Sequence, residues 1–147
     1  MKLPARSQRG TAVVEFALGF TLLWLMFSGL YQVGYAFYVY NLLLTSVTNA
    51  ALLGAKLDYD TSSAGTYTTS LQNMVVYGDT TAGTRPVVPN LTTSMVNVVM
   101  SPSTSMPQDV TITISGYSID AVFTSFQLTN KPRATSLYYG RLICSGC

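Results

Sequence analysis

The chain has 147 residues, of which 48% are hydrophobic and only 10% are charged, with a formal net charge of +2. Average soluble domains carry about 25% charged residues, so this composition argues against an ordinary cytosolic protein. Three basic residues, Lys2, Arg6 and Arg9, lie near the amino terminus, and the rest of the chain has five basic residues against six acids. That remainder has no basic patch, which argues against nucleic acid as a partner.

The first ten residues form a short basic segment that ends at Gly10. Basic residues beside a first membrane span are held on the cytoplasmic side, which predicts a cytoplasmic amino end and an exported carboxyl end. A secretory signal peptide has its cleavage site after its apolar region. Here the plausible cut, between Gly10 and Thr11, lies before the apolar region. Cleavage there would leave the apolar helix on the mature protein, as in prepilins.

The stretch from residue 9 to residue 56 contains one acid, Glu15, and from Phe16 to Ala55 tyrosine is the only ionisable residue. About 20 apolar residues suffice to cross a bilayer as a helix, and this run is about twice as long. We therefore predict one helix over residues 11–57, crossing the membrane over about residues 16–39 and then continuing outside it.

The pattern becomes amphipathic from Asn41. Five small or apolar residues can face a core: Leu42, Val47, Ala50, Ala51 and Gly54. Thr45, Thr48 and Asn49 would face away from it. Within the membrane, Gly19, Gly29 and Gly34 would permit close approach of other helices.

Glu15 is the residue in this stretch that needs a specific explanation, because an isolated carboxylate within hydrocarbon is costly and usually has a partner and a role. Cleavage after Gly10 would make Glu15 the fifth residue of the mature chain. The new amino terminus at Thr11, its own or that of an adjacent subunit, would then be the partner. The alternative is a signal anchor whose Glu15 lies among the lipid headgroups.

Residues 58–147 are predicted to form an extracytoplasmic α/β head. After a turn, residues 66–77 have the spacing of a short amphipathic helix that ends at Gly78. Residues 95–100 suit a largely buried strand, residues 109–117 alternate as a half-buried strand, and residues 134–143 suit a third. In the alternating strand, the inward side chains would be Val110, Ile112 and Ile114. The predicted fold class is therefore α+β: a long amino-terminal helix, a short second helix and a small antiparallel sheet of about three strands.

The two cysteines, Cys144 and Cys147, have the spacing of a redox motif but lie at the carboxyl end. Redox pairs need a helix amino end or a nearby cation to stabilise the first thiolate, and no strand-to-helix context follows here. A structural disulfide that closes the tail is favoured, while a bridge between subunits, free thiols and zinc remain alternatives.

Enzyme signatures are missing, since the chain has no histidine and no GxSxG, SxxK or phosphate-binding glycine loop. The segment Asp58-x-Asp60-x-Ser62 is similar to the start of a calcium loop. However, Ser63 and Thr69 stand where such a loop needs glycine and glutamate, so a solvated turn is expected. We expect no enzymatic activity, no cofactor and no bound metal.

Residues 5–57 resemble the amino-terminal region of TadE-like proteins, which are minor pseudopilins of the tight-adherence (Flp) pilus system. The resemblance rests on Arg9-Gly10, on Glu15-Phe16 before an apolar helix, and on the segment from Asn49 to Ala55, N-A-A-L-L-G-A. This segment has leucine where the family often has arginine. Thr11 stands where the pseudopilins of general secretion have phenylalanine, which favours the Tad branch.

The resemblance implies a structural or assembly role in Tad pilus biogenesis. A prepilin peptidase would cut between Gly10 and Thr11, Glu15 and Phe16 would serve recognition or subunit docking, and the helix would pack beside other pilin subunits. The protein would be a single-pass inner-membrane protein with a periplasmic head, with incorporation into an extracellular pilus as an option. The alternatives are a filament-forming pilin subunit and an uncleaved single-span envelope protein whose head binds a ligand.

Overall fold

The computed structural model describes residues 9–60, 63–101, 107–121, 124–140 and 142–143. The chain forms two compact units, Met1–Tyr35 and Ala36–Cys147. A single helix, α1, covers Arg9–Gly54 and so contributes to both units. The predicted long amino-terminal helix is confirmed.

In the first unit, the described residues are all helical, and their apolar side chains are exposed. Every large apolar side chain from Val13 to Val33 is at least half exposed. This helix is long and apolar enough to cross a membrane, with a mean hydropathy of 1.8 in its most apolar region. In water, such an apolar surface would have to be covered by another protein surface. The hydrocarbon interior of a bilayer can surround it directly.

In the second unit, the last part of α1 is amphipathic, as its sequence predicts. Its buried side chains recur at helical spacing: Val39, Leu43, Val47, Ala50 and Ala51. The opposite face is formed by Thr45, Thr48 and Asn49, which are exposed, while Leu42 is half-buried at the margin. The apolar stripe of this part of the helix therefore forms one wall of the core.

A second helix, α2, covers Ala64–Tyr77 and confirms the short amphipathic helix. Gly78 ends it in the left-handed conformation at φ 76°, and its N–H donates to the carbonyl oxygen of Met74. Glycine favours this conformation because it has no Cβ. The inward side chains Tyr67, Leu71 and Val75 are buried.

The described residues form seven short strands, one between the two helices and six after α2. They are β1 (Tyr59–Asp60), β2 (Val96–Ser101), β3 (Asp109–Ile114), β4 (Tyr117–Asp120), β5 (Ser125–Leu128), β6 (Arg133–Leu137) and β7 (Leu142–Ile143). A short 3₁₀ helix, Thr93–Met95, precedes β2. Strands β2, β3 and β6 form an antiparallel sheet with β3 in the centre, which confirms the predicted three-stranded sheet. The antiparallel pair β4–β5 and the parallel pair β1–β7 were not predicted.

The core of the second unit lies between this sheet and the two helices. The central strand contributes Val110, Ile112 and Ile114, each fully buried as predicted. On the other face of β3, the hydroxyl groups of Thr111 and Thr135 are hydrogen-bonded at 2.8 Å.

Three strands differ from the prediction, one in its burial and two in their boundaries. Strand β2 is not largely buried, because it is an edge strand, and Val99 on its outer face is 49% exposed. The strand predicted over residues 109–117 ends at Ile114, since Gly116 at φ 76° turns the chain into β4. The strand predicted over residues 134–143 is broken between Leu137 and Leu142, where the chain contacts the end of α1.

Candidate functional site

The residues predicted to act in processing and docking lie in the first turns of α1. Gly10 and Thr11 belong to the helix and are exposed, as are Glu15 and Phe16. Thr11 and Glu15 are four residues apart, so they lie on the same face of the helix, with Cβ atoms about 5–6 Å apart. The structure thus brings together the threonine of the predicted cut and the carboxylate predicted to act with it.

An aromatic ladder lies beside this pair. The ring centroids of Phe16 and Phe20 are 6.1 Å apart, and those of Phe20 and Trp24 are 6.2 Å apart, in stacked arrangements. Spacing of four residues places the three rings along one side of α1. All three are more than half exposed. They form a continuous apolar surface available to lipid or to another helix.

The three glycines predicted to permit close packing are open to their surroundings. A methyl group added at Gly19, Gly29 or Gly34 would meet nothing within 4 Å. At about 100° per residue, the three positions spread over about 140° of the helix circumference. They therefore do not form one narrow stripe, and close approach at all three would involve more than one neighbouring helix.

Residues 10–52 match the family model described as TadE-like protein. Residues 10–52 form a TadE-like segment. This confirms the resemblance drawn from the sequence over those residues. Comparisons with curated proteins and with solved structures give no match.

The TadE-like segment ends at Leu52, two residues before α1 ends within the second unit. Its match begins at Gly10 and therefore includes both the exposed apolar helix and the part that packs in the core. The match covers less than a third of the chain, so it describes this segment and not the residues that follow it. By its length and composition, the helix over Gly10–Gly54 could cross a membrane.

Just beyond the TadE-like segment, three hydrogen bonds hold the end of α1. The hydroxyl of Tyr67 donates to the carbonyl oxygen of Gly54 at 2.6 Å. The N–H of Tyr139 donates to the carbonyl oxygen of Ala55 at 2.8 Å. The hydroxyl of Tyr138 donates to the carbonyl oxygen of Leu57 at 2.9 Å. A helix ends with four carbonyl groups that lack helical partners, and these contacts satisfy carbonyls in that region.

We refer to this set of contacts as the helix-end clasp, formed by Tyr67, Tyr138 and Tyr139. The hydroxyl of Tyr138 also accepts a 2.9 Å hydrogen bond from the N–H of Tyr59. Burial raises the pKa of the Tyr67 hydroxyl and of the Tyr138 hydroxyl. Both hydroxyls therefore stay protonated and able to donate at neutral pH.

Sequence reasoning missed the clasp, because its members are distant along the chain. A signal was present in the run Tyr138-Tyr139-Gly140, which interrupts the third predicted strand. A methyl group at Gly140 would overlap the carbonyl oxygen of Leu57. Glycine is required there because the chain passes so close to the turn after α1.

A small depression of about 190 Å³ lies beside the clasp, lined in part by Asp58, Asp60, Ser63 and Thr66. Ligand pockets usually have about 300–1,000 Å³, so the depression is small for an organic ligand. Within the described ranges, no group of three or more histidine, cysteine or acidic residues could hold a metal ion. Cys144 and Cys147, the candidate disulfide, lie outside the described residues.

Proposed function

We propose that the protein is a TadE-like minor pseudopilin that takes part in Tad pilus assembly. A prepilin peptidase would cut it between Gly10 and Thr11, and the mature helix would pack beside other pilin subunits. The head, residues 58–147, would face the periplasm. The role is structural, and no catalytic step is assigned to the chain.

The observation that carries this proposal is the overlap of two features on one segment. The family match covers residues 10–52, and the large apolar side chains from Val13 to Val33 are at least half exposed. A helix that only anchors a head needs about 20 apolar residues. This one is longer, and its last part belongs to the second unit.

The position of the proposed cut supports processing by a peptidase. Gly10 and Thr11 are exposed, so a peptidase can reach the bond between them. Glycine in a helix also costs about 1 kcal/mol relative to alanine. Local unwinding around the Gly10–Thr11 bond is therefore inexpensive, so a peptidase could bind this bond in extended form.

The position of Glu15 supports a docking role after the cut. The new ammonium group at Thr11 would lie one turn from the Glu15 carboxylate on the same helix face. Glu15 would thus be neutralised in hydrocarbon either by its own amino terminus or by that of a neighbouring subunit.

The test is the intact mass of the protein purified from membranes of its native host. Loss of residues 1–10 supports the proposal. Gly10→Val should retain the full mass, because a branched side chain replaces glycine beside the cut bond. Gly19→Val is the matched control, since both glycines have open space around them, and it should be processed normally.

Retention of residues 1–10 in the unmodified protein, with the peptidase active on a control substrate, would defeat the proposal. That result would favour an uncleaved single-span envelope protein. A processed protein that is abundant in sheared surface material would instead be a filament-forming pilin subunit.

A further inference from the structure

The two edges of the three-stranded sheet differ in how they are covered. At the β2 edge, the side-chain amide of Gln72 on α2 donates a 3.0 Å hydrogen bond to the carbonyl oxygen of Val96. At the β6 edge, no side chain among the described residues donates such a hydrogen bond to the backbone of the strand. The side chains of Arg133, Thr135 and Leu137 on this strand are exposed. Uncovered edges present unpaired N–H and C=O groups to another strand.

The hydrogen-bond pattern shows which groups of β6 face outward. The N–H of Ile114 donates to Pro132 at 3.2 Å, and the N–H of Tyr138 donates to Gln108 at 2.8 Å. Residues of an antiparallel strand alternate between facing their partner and facing away. Even-numbered residues of β6 therefore bond to β3, and the backbone groups of Arg133, Thr135 and Leu137 point away from the sheet.

We propose that this edge pairs with β6 of a second copy, antiparallel and centred on Thr135. Two three-stranded sheets would then form one six-stranded sheet across a two-fold axis. In this register, Arg133 of each copy lies opposite Leu137 of the other. The 62% exposed side chain of Leu137 would be covered by the arginine stem.

Charge complementarity favours a second copy as the occupant. Asp109 on β3 pairs with Leu137 on β6, and Leu137 would in turn pair with Arg133 of the second copy. Asp109 and that arginine would therefore be two strand spacings apart, about 10 Å. An extended arginine and an aspartate can bridge this span together. Within the described part of the chain, Asp109 makes no ion pair, and the two-fold axis would create the new pair twice.

The antiparallel register also keeps like charges apart. The two Arg133 residues would be separated by about four residues along the strands, or about 14 Å. That distance exceeds the Debye length of about 8 Å at physiological ionic strength, so their repulsion is largely screened. The geometry lies entirely within the second unit and does not depend on pilus assembly.

The experiment measures the dimer fraction of the full chain in detergent by light scattering over a range of protein concentrations. Thr135→Pro removes the outward N–H at the centre of the proposed pairing, and an edge strand tolerates proline there. Thr135→Val is the control, because it also removes the Thr135 hydroxyl but retains the N–H. We expect Thr135→Pro to be monomeric and Thr135→Val to dimerise like the unmodified protein.

The proposed ion pair gives a second, independent test. Arg133→Asp and Asp109→Arg should each weaken dimerisation, by about tenfold for two exposed pairs, and the combined variant should restore it. A monomeric unmodified chain, or equal dimer fractions for the two Thr135 variants, would overturn the proposal. If circular dichroism shows that Thr135→Pro is unfolded, the charge variants decide. Failure of the combined Arg133→Asp and Asp109→Arg variant to restore dimers would then overturn the proposal.

Discussion

The hydroxyl of Tyr67 on α2 donates a 2.6 Å hydrogen bond to the carbonyl oxygen of Gly54, the last residue of α1. Both residues are buried, so neither group could bond to water if the other were removed. The contact links the end of the TadE-like helix to the helix that follows. Its loss should be measurable as a loss of stability.

Tyr67→Phe should lower the free energy of unfolding by about 1–3 kcal/mol, because it leaves the Gly54 carbonyl buried without that donor. Thermal unfolding in detergent, followed by near-ultraviolet circular dichroism, measures the change. Tyr139→Phe is the control, since its ring is 75% exposed and its backbone N–H keeps the bond to Ala55. Equal effects of the two variants would contradict the importance of the buried hydroxyl.

The helix-end clasp should make the protein sensitive to alkaline pH. Burial raises the pKa of Tyr67 and Tyr138 above the ordinary value of 10.0. Since the unfolded chain loses these protons at lower pH than the folded chain, the stability from the protonated hydroxyls is fully present below pH 10. It is lost as the pH rises above 10 towards the folded-state pKa values.

Urea unfolding from pH 8 to pH 11 measures this dependence. The midpoint should fall more steeply above pH 10 for the unmodified chain than for Tyr67→Phe, which has no proton to lose at that site. All other side chains are common to both proteins, so the difference isolates Tyr67. Parallel curves would show that Tyr67 does not contribute.

Gly54→Ala should destabilise the contact between α1 and α2. A methyl group there would lie 2.9 Å from the Leu71 Cδ1 atom and 3.1 Å from the Tyr67 hydroxyl oxygen. Overpacking of this kind typically costs about 1–3 kcal/mol, which the melting temperature would report. Gly65→Ala, with nothing within 4 Å, should be neutral or stabilise by up to about 1 kcal/mol.

Leu43→Ala and Leu44→Ala form a matched pair of neighbours on α1. Leu43 is fully buried, whereas Leu44 is 38% exposed. Truncating a fully buried leucine costs about 2–5 kcal/mol through lost burial and the cavity left behind, and the exposed neighbour should cost much less. Denaturant unfolding of both variants measures the difference, and similar losses would show that this part of α1 does not pack as described.

Much of the fold was predictable because it depends on local periodicity. Gly78 marked the end of α2, and Val110, Ile112 and Ile114 marked the buried face of β3. Pairing was not predictable, since a β-branched run does not reveal whether it has one neighbouring strand or two. For this reason β2 was assigned to the interior, although it is an edge strand.

The candidate site divides in the same way. Gly10, Glu15 and the apolar run identified the TadE-like segment, because they are adjacent in the sequence and their chemistry is set by the membrane. The helix-end clasp joins Gly54, Tyr67 and Tyr138, which are far apart in the chain. The tyrosine pattern alone did not indicate which carbonyl groups their hydroxyls would bind.

The sequence by itself determined the long apolar helix, its amphipathic continuation and the family of residues 10–52, since hydrophobicity and helical spacing are properties of neighbouring residues. The tertiary structure decided the strand order, the clasp around the end of α1 and which edge of the sheet the described residues leave uncovered. These depend on which distant backbone groups find partners, and hydrogen-bond satisfaction is a property of the whole folded chain.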